Sequence, residues 1–175
     1  MILDGEHKDA EIKAEVGLLT HNIKIMGVDN SETEEYGAKL IVRGDEEETA
    51  TYIHNVEMTK CGQPQIGKFS SCITTLVNDY VDEISFNKMS FHHTYGRGIL
   101  IAKETFGLEV SQNVLYDVAG NNIYVTGMFS SAFLIENVLI NPKKSFRMYQ
   151  YDLTPAALKI DGPMNIILNN RIGGS

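Results

Sequence analysis

The stretches Asn113-Val114-Leu115-Tyr116, Asn137-Val138-Leu139-Ile140 and Asn170-Arg171-Ile172 decide the reading of this chain. Each sets an asparagine before a short run that is mostly apolar. Asn22-Ile23-Lys24-Ile25 and Asn55-Val56-Glu57-Met58 read in the same frame, with Lys88-Met89-Ser90-Phe91 filling the long interval between Asn55 and Asn113. Taken in order, the asparagines are spaced by 33, 58, 24 and 33 residues. Units of roughly 24 to 33 residues belong to coil-type repeat architectures, in which a unit cannot bury its inward face alone and stacking hides it. An asparagine at one corner of every coil tolerates left-handed backbone angles and can bond the main chain of its neighbour. The expectation is a solenoid with an asparagine ladder.

The rest of the sequence fits that picture. Short β-branched or aromatic runs recur at Lys39-Leu40-Ile41-Val42, Ile99-Leu100-Ile101, Asn122-Ile123-Tyr124-Val125, Phe133-Leu134-Ile135 and Ile166-Ile167-Leu168. Each soon meets Gly, Asn or Asp, the punctuation of strands and turns. No segment keeps a helical period over three turns. The longer units read as coils with loops leaving them, for instance around Asn141-Pro142-Lys143-Lys144.

Composition bounds the function. With 43% hydrophobic and 22% charged residues over 175 positions, the chain can bury a core, and all of it, residues 1–175, reads as one segment. A net charge of −8 argues against nucleic acid, which needs clustered Lys and Arg. No run of 18 apolar residues is present, so no membrane contact is expected of this segment. The acidic run Asp45-Glu46-Glu47-Glu48 reads as a solvated loop without the alternating oxygen ligands of an EF-hand. Cys61 and Cys72 either pair or pack as small buried hydrophobes, and the reading leans to free thiols.

His92 and His93 are the first candidates for chemistry, with Arg97 and Asp117 beside them and Asp79 and Asp82 as further carboxylates. Neighbours on a strand point to opposite faces, so only one of the two histidines is expected in any one site. Arg97, between Gly96 and Gly98, leaves a tight turn and is expected to pair with Asp117. Gly96-Arg97-Gly98 lacks the further glycine and helix of a phosphate loop. No metal or cofactor is expected.

Several stretches carry a family resemblance. Ala14-Glu15-Val16-Gly17-Leu18-Leu19-Thr20-His21-Asn22-Ile23 resembles the AEVGLLTRNI stretch of fibrocystin and its relatives. Ile53-His54-Asn55-Val56-Glu57, Gly62-Gln63-Pro64, Ser90-Phe91-His92-His93-Thr94-Tyr95-Gly96-Arg97, Asn113-Val114-Leu115-Tyr116-Asp117-Val118-Ala119-Gly120 and Asp152-Leu153-Thr154-Pro155 follow in family order. The wider group includes cell-surface proteins that degrade hyaluronan. The resemblance implies an all-β, right-handed parallel β-helix in a larger extracellular or cell-surface protein. Its partners would be other extracellular proteins or glycans, with self-association into filaments as a further reading.

One departure bears on activity. Where relatives carry a YPIHFH segment, this chain reads Phe69-Ser70-Ser71-Cys72-Ile73-Thr74-Thr75, and Asn121 stands where a second histidine is expected. The resemblance therefore leans towards a non-catalytic structural or binding module. The competing reading is a polysaccharide-degrading enzyme, with a histidine of His92 and His93 as acid/base, Arg97 holding a sugar carboxylate and Asp117 beside them.

Overall fold

The computed structural model describes residues 15–44, 50–64, 70–77, 79–102, 105–127, 131–144 and 154–174. They form a right-handed parallel β-helix whose three sheets run the length of the stack. The first sheet takes β1 (Ile23–Met26), β4 (Val56–Thr59), β7 (Ser90–His92), β10 (Val114–Tyr116), β13 (Val138–Ile140) and β16 (Arg171–Gly173). The second takes β2 (Leu40–Gly44), β5 (Ile73–Val77), β8 (Ile99–Ala102), β11 (Ile123–Val125) and β14 (Leu158–Ile160). The third takes β3 (Ala50–His54), β6 (Asp79–Asn87), β9 (Thr105–Ser111), β12 (Ser131–Ile135) and β15 (Ile166–Leu168). Every pairing is between successive coils and parallel, as in Glu57 with Ser90, Ser90 with Val114 and Val114 with Val138.

Alternation along each strand sends one column of side chains inward. In the first sheet that column is Met58, Phe91, Leu115 and Leu139, each fully buried. Ile99 and Ile123 continue the core from the second sheet, Phe86, Val110 and Leu134 from the third. Burying one such side chain stabilises by roughly 1.5–3 kcal/mol, so the interior and the strand ladders supply the cohesion of the stack.

Three-residue strands need sharp corners, and the first sheet has one at each end. Asn55, Lys88, Gln112, Glu136 and Asn169 precede its strands, and Lys60, His93, Asp117 and Asn141 follow them; all have φ between 46° and 61°. Left-handed backbone suits asparagine better than most residues, yet here lysine, glutamine, glutamate and histidine adopt it too. The strand ladders on both sides hold them there.

The asparagine ladder exists, one residue away from that corner and shorter than the sequence suggests. The Asn113 amide and Asn113 Nδ2 donate to Asn137 Oδ1 at 3.1 and 3.0 Å. The Asn137 amide and Nδ2 donate to Asn170 Oδ1, both at 2.9 Å. Nδ2 of Asn113, Asn137 and Asn170 also donates to the carbonyls of Phe86, Val110 and Leu134, which ties one sheet to the next. Above the ladder the Met89 amide donates to Asn113 Oδ1. Asn22, Asn55 and Lys88 are not rungs: β1 pairs Ile23 with Val56, which stacks Asn22 over Asn55 in the corner column instead.

Two further expectations change. Cys61 and Cys72 form a disulfide, both cysteines fully buried. Between β4 and β5 the Gln63 amide donates to the Ser70 carbonyl at 3.2 Å, which brings Cys72 back beside Cys61. Asn141 is a coil corner, and Lys143 bridges to Ala119, so both belong to the stack. The long coils carry most of their extra residues between the first and second sheets, residues 27–39, 60–72 and 141–157, against 93–98 and 117–122 in the short coils. The first of these carries the four-residue helix α1 (Ser31–Glu34).

Candidate functional site

The outward column of the first sheet is Lys24, Glu57, Ser90, Val114, Val138 and Arg171. Residues 15–21 run across the strands along this column like a strap. The His21 amide donates to Glu57 Oε2 at 3.2 Å, and Ser90 Oγ donates to the Leu19 carbonyl at 2.7 Å. Gly17 lies on Val114, where a Cβ would stand 2.8 Å from a methyl carbon, and Arg171 Nε donates to Glu15 at 2.8 Å. The strap leaves Glu57 1% exposed and Ser90 buried, while Val16 and Leu18 face solvent.

Glu57 is the charged centre of this face. Burial pushes its carboxyl up, but the Lys24 ammonium at 2.8 Å, the His21 amide and His92 outweigh it, and the group sits below the ordinary carboxylate value. A carboxylate only accepts, so His92 Nε2, 3.1 Å from Glu57 Oε1, is the donor of that bond. His92 Nδ1 lies 2.7 Å from His93 Nδ1 and 3.3 Å from Thr59 Oγ1. In the tautomer that gives Nε2–H to Glu57, neutral His92 accepts on Nδ1 from His93 Nδ1–H.

The two histidines meet because His93 is the left-handed corner residue after β7, at φ 50°. The strand alternation that would separate them stops one residue earlier, and the rings lie edge to face, 5.0 Å between centroids. Exposed His93 opens on a groove of about 470 Å³ lined also by Lys60, Tyr95, Asp117 and Lys143. Lys60 reaches Glu32 of α1 at 2.6 Å, and its hydrogen bond holds the Glu32 carboxyl below the ordinary value.

The other candidates are placed differently. Asp117 shares the groove with His93, but its carboxylate takes Lys143 Nζ on one oxygen and Asn141 Nδ2, at 2.8 Å, on the other. Arg97, 8% exposed, turns to the Tyr124 ring at 5.2 Å, and no Arg97–Asp117 pair forms. Gly96 and Gly98 serve close coil contact: a Cβ on Gly96 would stand 1.7 Å from the Ser70 carbonyl oxygen, and one on Gly98 2.5 Å from that of Asn122. Asp45 to Glu48 and the side chains of Asp79 and Asp82 lie outside the described residues. Among the described residues no three His, Cys, Asp or Glu side chains are grouped to hold a metal ion, and no helix is long and apolar enough to cross a membrane.

Sequence reasoning missed Glu57. Its signal is a carboxylate at an outward position where the matching residues of the next coils are Ser90, Val114 and Val138.

Stacked parallel coils, an internal asparagine ladder and a polar corner groove define a β-helix module. The chain belongs to the CEMIP β-helix family, whose sequence profile matches residues 35–175. It is similar to human fibrocystin-L, 25% identical over 201 residues that take in 94% of this chain and 5% of that protein. Mouse fibrocystin-L is 26% identical with the same coverage, so the chain spans about a twentieth of the length of these relatives. No solved structure matches it.

Proposed function

We propose that the chain is a non-catalytic structural and binding module of a large cell-surface or secreted protein. It would act as a stiff rod whose outer faces meet other extracellular proteins or glycans. One observation carries this reading: the polar side chains best suited to chemistry are engaged in coil-to-coil bonds. Glu57 ties β1, β4, β7 and the strap together, and Asp117 ties one coil to the next through Asn141 and Lys143. The stretch Cys72 to Thr75, where the family resemblance would put histidines, begins with the disulfide cysteine, and Asn121, in the place of a further histidine, accepts the Ala156 amide on Oδ1 at 2.8 Å. The buried disulfide and the likeness to fibrocystin-L support a site outside the reducing cytosol.

The test is incubation of the 175-residue chain with hyaluronan of defined length, sized by gel. The polymer stays intact, while His92→Ala and Asp117→Ala lower the unfolding midpoint. Shortening that disappears in His93→Ala would sink the reading. That outcome would favour the second one, a polysaccharide-degrading enzyme, which draws its support from exposed His93 lining one groove with Asp117 and Lys143.

A further inference from the structure

We propose that the open C-terminal end of the stack docks a further parallel coil of the larger protein, one that sets an asparagine beneath Asn170 and aliphatic side chains beneath Ile167 and Ile172. The three sheets end on β14, β15 and β16, so each presents an unpaired strand edge at this end. The inward columns run through to it. Ile172 continues the column of Leu115 and Leu139, and Ile167 that of Val110 and Leu134. Leu139 and Leu134 are fully buried, whereas Ile172 is 61% and Ile167 48% exposed. A solenoid that finishes here would carry a polar outer face on its last coil, and this one carries core residues packed on one side only. Gly174, at φ 61°, takes the left-handed corner that Asp117 and Asn141 take after β10 and β13, so the backbone turns as it does into the earlier coils.

The ladder is an independent sign, and it has a direction. The amides of Met89, Asn113 and Asn137 each donate to the side-chain oxygen of the asparagine one coil on. The Asn170 side chain accepts from Asn137 and donates to the Leu134 carbonyl, but its own amide has no acceptor among the described residues. An asparagine in the next coil supplies that acceptor, and its Nδ2 reaches the Ile167 carbonyl as those of Asn137 and Asn170 reach Val110 and Leu134. Only a side-chain amide does both.

The register argues against a second copy as the occupant. Stacked head to tail, a second copy brings β1 onto β16. Ile23 pairs with Val56, and that column runs on through Met89, Asn113 and Asn137, so Ile23 falls beneath Asn170. An isoleucine side chain leaves the Asn170 amide without an acceptor as the interface closes over it. The inference rests on reading the chain as a module of a larger protein and says how the module is joined to it.

The test compares the 175-residue chain with one carried on through the next 24 to 33 natural residues, the two steps of the ladder. Exchange of the Asn170 amide should slow at least about tenfold in the longer chain, and isoleucine in place of the added asparagine should restore the faster rate. Ile172→Ser should change the unfolding midpoint little in the 175-residue chain, where the side chain is exposed, and lower it in the longer one. No asparagine at that spacing, equal Asn170 exchange in both chains, or an Ile172→Ser effect equal in both would overturn the proposal. So would sedimentation in which the 175-residue chain associates with itself and protects Asn170, which makes a second copy the occupant. Each of these removes this junction alone, because the non-catalytic reading stands or falls on the hyaluronan assay.

Discussion

Replacing Asn137 by alanine separates the two columns of polar corner residues that the fold creates. Asn137 is fully buried, and truncation removes both faces of its amide. The Asn113 backbone N–H and Asn113 Nδ2 lose their acceptor, and the Val110 carbonyl loses a donor. An orphaned buried polar group costs about 1–3 kcal/mol, and the vacated space admits at most partial rescue by water. The expected loss is about 4 kcal/mol. With a urea dependence of roughly 2.5 kcal/mol per molar, the midpoint falls by about 1.6 M. Asn55 gives the contrast, since it is exposed and its role is the φ of 56°. Asn55→Ala should cost about 1 kcal/mol and Asn55→Gly almost nothing, whereas Asn137→Gly should be at least as damaging as Asn137→Ala. Urea unfolding followed by circular dichroism measures all four. If Asn137→Ala costs no more than Asn55→Ala, the ladder does not hold the coils and the energetic argument fails.

Three other outcomes follow from the same contacts. Folding lowers the Glu57 pKa, so its contribution is complete above its ordinary value of about 4.5 and is lost as pH falls through the depressed folded value. Glu57→Gln should therefore lower the melting temperature at pH 7, by about 2 kcal/mol in stability, with the gap to the parent closing on acidification; a gap independent of pH would refute this. Reducing the Cys61–Cys72 bridge, which closes a loop with a sequence separation of 11, should cost about 3 kcal/mol, read as a lower melting temperature in dithiothreitol that Cys61→Ser/Cys72→Ser reproduces without reductant. Gly96→Ala would force a methyl group onto the Ser70 carbonyl and should destabilise by about 3 kcal/mol or more, against little change for alanine at Gly173, which has nothing within 4 Å.

The sequence carries the coil period and the inward columns openly, because stacking repeats the same demand in every unit. Asn113, Asn137 and Asn170 are legible for that reason. The register error at Asn55 was legible too: the 58-residue interval to Asn113 is one longer than a 33-residue and a 24-residue coil together. Alternation misleads at His92 and His93 because a left-handed corner interrupts it, and nothing in the residue His93 itself announces that φ. Arg97 and Asp117 are 20 residues apart, less than any coil here, so they fall in different columns; Asp117 meets Asn141, a full 24 residues on. The strap over Glu57 has no periodic signal at all, since residues 15–21 belong to no strand. The disulfide depends on a fold-back within one long coil connection, which spacing alone does not reveal.

Amide hydrogen exchange along the whole chain tests the stiff-rod account most directly. The account predicts the slowest exchange at Asn113, Leu115, Asn137 and Leu139, at the centre of the first sheet and its ladder, with the strap amides of Val16 and Leu18 among the fastest. Fast exchange at Asn113 and Asn137, or protection of the strap equal to theirs, would contradict it.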